Sequence, residues 1–136
     1  MIEAERLTLA VLRGDRIVFQ SEHDGIRDAL MLHDEHPELL RGAVIVDRII
    51  GRAAATLFAD GGAAAVYGRV MTRDAMHVLE EKGTQARANT LTDRIINRAG
   101  TDICPMEKAI LGVTDPMEAI VRLRDAVSRL RREGQP

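Results

Sequence analysis

A single cysteine, Cys104, rules out an internal disulfide and leaves too few thiolates for a Cys-rich zinc centre. Tryptophan is absent and only Phe19, Phe58 and Tyr67 are aromatic, so no platform on which nucleic-acid bases could stack is visible. A formal charge of −2 supplies no basic field to attract a phosphate backbone. Together these scarcities argue against tight binding of nucleic acid. The most apolar stretch, Ala53 to Ala59, falls far short of the roughly 20 residues needed to cross a bilayer. The opening residues Met1-Ile2-Glu3-Ala4-Glu5 are acidic, unlike a secretory signal. A soluble, cytoplasmic protein without membrane contact is expected.

What is present suffices for one core: 46% of the 136 residues are hydrophobic. Arg6 to Val11 alternates polar and apolar residues, and Arg16 to Gln20 is again apolar-rich. With Leu12-Arg13-Gly14-Asp15 between them, they predict a hairpin that buries Leu7, Leu9 and Val11. Ile26, Ala29, Leu30 and His33 fall on one stripe of a helix from Ile26 to Leu32, and Pro37 restarts a short turn through Leu39-Leu40. Ala43-Val44-Ile45-Val46 suits a strand covered on both faces and ending at Asp47. Arg52 to Ala59 follows as a helix apolar nearly all round, closed by Asp60-Gly61-Gly62. Ala63 to Tyr67 predicts a further strand, Thr72 caps a helix from Arg73 to Lys82, and Ala86 to Thr90 predicts a last strand. Asp115-Pro116-Met117-Glu118 carries a cap, a first-position proline and an acidic third position, and the helix it opens runs to about Arg132. Its apolar stripe is Ile120, Leu123, Val127 and Leu130, free to pack on its own domain or on a second subunit.

This order of elements predicts an α/β fold: a three-layer α/β/α sandwich on a mixed sheet of about five strands. The whole of 1–136 is expected to be one domain, with 1–113 as its core and 114–136 as a C-terminal helix.

Val46-Asp47-Arg48-Ile49-Ile50-Gly51-Arg52-Ala53-Ala54-Ala55, followed by Ile96-Asn97-Arg98 and Cys104-Pro105-Met106-Glu107, resembles an uncharacterised prokaryotic family. It is the domain of unknown function 1893, grouped with the cytidine deaminase-like fold. Deaminases of that fold hold zinc with a His/Cys-Ala-Glu triplet on one helix and Pro-Cys-x-x-Cys at the start of another. The resemblance sets Gly25-Ile26-Arg27-Asp28 at the first of these places and Gly51-Arg52-Ala53-Ala54 at the second. Neither carries a His or Cys ligand. The resemblance therefore implies the scaffold without zinc deamination, and no metal or other cofactor is expected.

Arg52 is unusual on its own terms, because a cation in the first turn opposes the positive end of the helix dipole. Either Asp47 pairs with it at the strand-to-helix corner, or an anion binds where the guanidinium and free backbone N–H groups converge, with Gly51 allowing close approach. Ligands of open α/β sheets favour the carboxyl ends of strands. Cys104 reads as an N-cap, with Pro105 at the first helical position and Glu107 at the third. It could be a buried inert thiol, a ligand contact, or a nucleophilic or redox group. His33-Asp34-Glu35-His36 reads as a solvated helix end, His23 and His77 as surface residues, and the arginines of the last helix as a solvated face.

Two function classes follow. In the first, a small anionic or nucleotide-like ligand is held by Asp47, Gly51, Arg52, Asn97, Cys104 and Glu107, and any catalysis falls to Asp47, Cys104 or Glu107. In the second, the chain is a non-catalytic interaction or regulatory module, with homodimerisation one form of it.

Overall fold

The computed structural model describes residues 8–22, 26–94 and 105–132, with side chains as far as Arg129. The expected hairpin is present. β1 (Leu9–Arg13) and β2 (Arg16–Ser21) are antiparallel and turn at Gly14-Asp15, where Gly14 adopts φ +62, a conformation costly for a residue with a Cβ. The register slips between Val11 and Leu12, pairing Val11 with Phe19 but Leu12 with Ile17. The extra residue lets both Val18 and Phe19 pack against the core.

The chain continues through α1 (Arg27–Glu35), α2 (Pro37–Leu40), β3 (Val44–Ile50), α3 (Arg52–Asp60), β4 (Ala65–Thr72), α4 (Arg73–Glu81) and β5 (Gln85–Thr92). It ends in α5 (Pro105–Ala109) and α6 (Pro116–Arg132). Five strands form one mixed sheet in the order β2-β1-β3-β4-β5. β1 runs antiparallel to β2 and β3, whereas β3, β4 and β5 are parallel. β3 and β4 extend past the expected ends at Asp47 and Tyr67, because pairing continues to Ile50↔Met71. Backbone pairing, not side-chain polarity, sets where these strands stop.

The registers divide the sheet's side chains into two faces. Val11, Ile45, Val66 and Ala86 line up across four strands and meet the hydrophobic core, with Leu9, Asp47, Gly68 and Ala88 in the next row. The alternate rows, Ala10–Val46–Tyr67–Arg87 and Leu12–Val44–Ala65–Gln85, point the other way. α1, α4, α5 and α6 all contact α3, and α2 contacts α1. Among the described residues the helices thus gather on one side of the sheet. β3 is covered unevenly: Ile45 is fully buried and Val46 partly, but Val44 is 41% exposed.

α3 is the hub of the helical side, which is why it is apolar nearly all round: Ala53, Ala55, Thr56, Leu57 and Phe58 are buried. α6 belongs to the same core. Of its predicted stripe, Ile120, Leu123 and Val127 are buried there alongside Ala119 and Ala126, and the side chain of Leu130 lies outside the described residues. No helix of the described residues is long and apolar enough to cross a membrane.

Candidate functional site

The feature that organises the candidate site is a carboxylate at the start of α3. Gly51 precedes that helix in an extended conformation, φ −100 and ψ −178, and has no side chain with which to cap it. The first backbone N–H groups of a helix have no partner within it. Glu107, on α5, supplies one from 55 residues away. Its Oε1 accepts from the amide of Arg52 at 2.8 Å and its Oε2 from that of Ala53, also at 2.8 Å. A negative charge at this end also suits the helix dipole.

Arg52 answers in the opposite direction. Its guanidinium donates to the carbonyl of Val113 at 2.7 Å and to that of Ile110, both just beyond α5. The unfavourable cation in the first turn of α3 is thereby explained. Its guanidinium turns away from the helix axis to the carbonyls of the segment that follows α5. The two segments cap each other.

Asp47 lies on the core-facing side of β3, between Leu9 and Gly68 in register, and is partly buried. Its Oδ1 accepts from the amide of Arg48 at 2.8 Å. The structure thus brings Arg52 and Glu107 together, with Gly51 adjoining, while Asp47 lies midway along β3 rather than at its end. Asn97 and Cys104 lie outside the described residues. A cleft of about 60 Å3 between α3, α4 and α6 is lined by Arg52, Thr56, Val78, Lys82 and Pro116 among others. It is far smaller than the roughly 300–1,000 Å3 of pockets that enclose metabolite-sized ligands.

The model of the domain of unknown function DUF1893 matches residues 1–127. The chain belongs to the DUF1893 family. A solved DUF1893 protein from Thermotoga maritima shares the fold with a TM-score of 0.79 at 24% identity, over 90% of this chain and 80% of that one. Comparison with curated proteins finds no match.

This DUF1893 chain holds a second polar cluster that the sequence did not reveal. His33 is not part of a solvated helix end: its side chain is only 12% exposed. Its Nδ1 lies 2.8 Å from Asp34 Oδ1 and its Nε2 lies 2.7 Å from Asp60 Oδ2 at the end of α3. Arg124 of α6 closes a two-pronged bond on Asp34, Nε to Oδ2 and Nη2 to Oδ1, both 2.8 Å. That bond is the main reason the Asp34 carboxyl is lowered from 3.8 to about 2; burial opposes it and His33 assists. The same bond raises Arg124. Arg124 is therefore a tie between α6 and α1 rather than part of a solvated face. Arg122 and Arg129 make only i,i+4 pairs with Glu118 and Asp125 on their own helix. His77 is exposed as expected, and His36 lies beside Glu38 at the surface. Among the described residues no group of three or more His, Cys, Asp or Glu is arranged to hold a metal ion.

Proposed function

We propose that this protein is a cytoplasmic, non-catalytic binding module on a cytidine deaminase-like scaffold, acting by engaging a partner. One observation carries the reading: the helix end where an anionic substrate would find free N–H groups is filled by Glu107. Arg52, the cation that would have completed an anion site, is committed to the carbonyls of Ile110 and Val113. The residues that made a small-ligand site attractive in sequence are the ones that bind each other.

Thermal unfolding in the presence of inorganic phosphate and a panel of nucleotides tests this. The wild-type melting temperature should not move beyond the general effect of salt. A rise of several degrees with one nucleotide, abolished in Asp47→Ala, would overturn the proposal in favour of a small-ligand site. That second reading draws on Asp47, a partly buried carboxylate midway along a strand that runs parallel to β4.

Homodimerisation through the apolar stripe of α6, another form of the module, is not favoured, because Ile120, Leu123 and Val127 of that stripe are internal.

A further inference from the structure

We infer that the free edge of β5 pairs with β5 of a second copy of this chain, antiparallel and centred on Ala88, so that two sheets join into one. This goes beyond the binding-module reading and stands whether or not a small ligand binds.

Among the described residues the sheet has two edges, β2 and β5, and only β2 carries features that keep an edge from pairing. β2 is six residues long, opens on Arg16 and is distorted by the register slip against β1. β5 is eight residues long and keeps an unbroken register with β4, from Ala65↔Gln85 to Thr72↔Thr92. It contains no proline, lysine or carboxylate, and its single charge is Arg87. None of its residues is buried, and Gln85, Arg87, Asn89, Thr90 and Leu91 are exposed. The ladder also fixes which backbone groups face outward. The amide of Gln85 donates to the carbonyl of Ala64, on the β4 side. In a parallel pair alternate residues bond to the neighbour, so Ala86, Ala88, Thr90 and Thr92 turn their N–H and C=O groups to the edge. Among the described residues no strand pairs with them.

Such an edge accepts an extended backbone, and the side chains of β5 complement those of its own copy. Antiparallel pairing about Ala88 makes Ala86 and Thr90 a hydrogen-bonded pair and sets Arg87 opposite Asn89, twice by symmetry. Arg87 and Asn89 then form a pair without backbone bonds between them, the kind in which side chains come closest. Asn89 Oδ1 already accepts from the Tyr67 hydroxyl, and an amide oxygen has room for a second donor. Gln85 faces Leu91, and no like charges oppose one another. Centring the pair on Arg87 instead would set arginine against arginine, which is destabilising. The two-fold arrangement is also closed: it occupies both β5 edges and leaves only the distorted β2 edges outside, so association stops at two copies.

The test is light scattering and sedimentation of the intact chain over a dilution series reaching about 100 μM. Wild type is compared with Asn89→Lys, with the double variant Arg87→Glu, Asn89→Lys, and with Thr90→Pro. All three positions are exposed, and circular dichroism with thermal unfolding verifies that each variant folds. Wild type should be a dimer at the top of the series. Asn89→Lys sets lysine opposite arginine twice and should weaken the dimer about tenfold or more. Adding Arg87→Glu sets glutamate opposite that lysine and should restore it. Thr90→Pro removes an outward N–H and no bond to β4, and should dissociate the dimer by a separate route. A wild type that stays monomeric throughout would overturn the inference, as would open-ended assembly. A dimer indifferent to Asn89→Lys or to Thr90→Pro, or a double variant no tighter than the single one, would do the same. The nucleotide melts described above bear on the small-ligand question alone, so either idea can fail without the other.

Discussion

Replacing Glu107 by alanine removes both acceptors from the amides of Arg52 and Ala53 and leaves the start of α3 uncapped and partly buried. Hydrogen bonds to a charged group contribute about 1.5–3 kcal/mol each when lost singly, and the two here share one carboxylate, so a loss of about 2–3 kcal/mol is expected in urea unfolding. Because the variant vacates an anion position, inorganic phosphate should restore part of that stability, an effect absent in the wild type. Failure of phosphate to raise the variant's melting temperature would mean that the position collapses without its carboxylate. At Asp34 the prediction concerns pH. Its folded-state pKa of about 2 lies below the ordinary 3.8, so the stabilisation is present in full above about pH 4. It is lost as pH falls through about 2. Exposure of the pair to solvent limits the contribution to on the order of 1 kcal/mol. Arg124→Ala should therefore lower stability at pH 7 and flatten the acid limb of the stability profile between about pH 4 and 2, measured by urea titrations across that range. Glu107 and Asp34 show why single-residue roles were only half legible. Glu107 was visible as a third-position helical residue and as part of a motif, but its partners are 55 and 54 residues away. The partner of Asp34 on α6 is 90 residues away, and no local pattern encodes such a distance.

Helix ends follow local chemistry. Thr72 caps α4 as expected, its hydroxyl accepting from the amide of Ala75 at 3.0 Å, and Asp115 caps α6 by accepting from Glu118 at 3.1 Å. Such caps are readable because donor and acceptor lie within one turn. Strand ends were read less well: β3, β4 and β5 all run past the boundaries that side-chain pattern suggested, since a strand continues while its neighbour offers backbone partners. The Asp60-Gly61-Gly62 stop of α3 was legible as a helix end, but the reason Gly61 must be small was not. A Cβ there would lie 2.6 Å from Leu40 Cδ1 and 3.1 Å from Leu40 Cβ. Leu40 is fully buried and has little room to yield. Gly61→Ala should cost about 1–3 kcal/mol from overpacking, even though alanine has the higher helix propensity. An equally stable alanine variant in chemical unfolding would show that α2 can move away.

For the molecule as a whole, α6 is the element whose role changes most between sequence and structure. A chain ending before Asp115 would lose the buried Ala119, Ile120, Leu123, Ala126 and Val127 and the Arg124 tie to α1. It would also strip one wall from α3. Such a truncation should not give a cooperative unfolding transition, and Leu123→Ala alone should cost about 2–5 kcal/mol. A sharp, native-like melt of the truncated chain would refute this account of the core. The amino-acid sequence by itself determined the hairpin, the positions of the long helices, the mixed α/β class and the family motifs, because turn glycines, caps and apolar periodicity act over a few residues. Only the tertiary structure decided that Arg52 and Glu107 complete each other and that His33 and Arg124 join three helices. Those outcomes depend on which distant segments the strand pairings and the helical hub bring within about 3 Å, the reach of a hydrogen bond. A one-dimensional pattern does not carry that information.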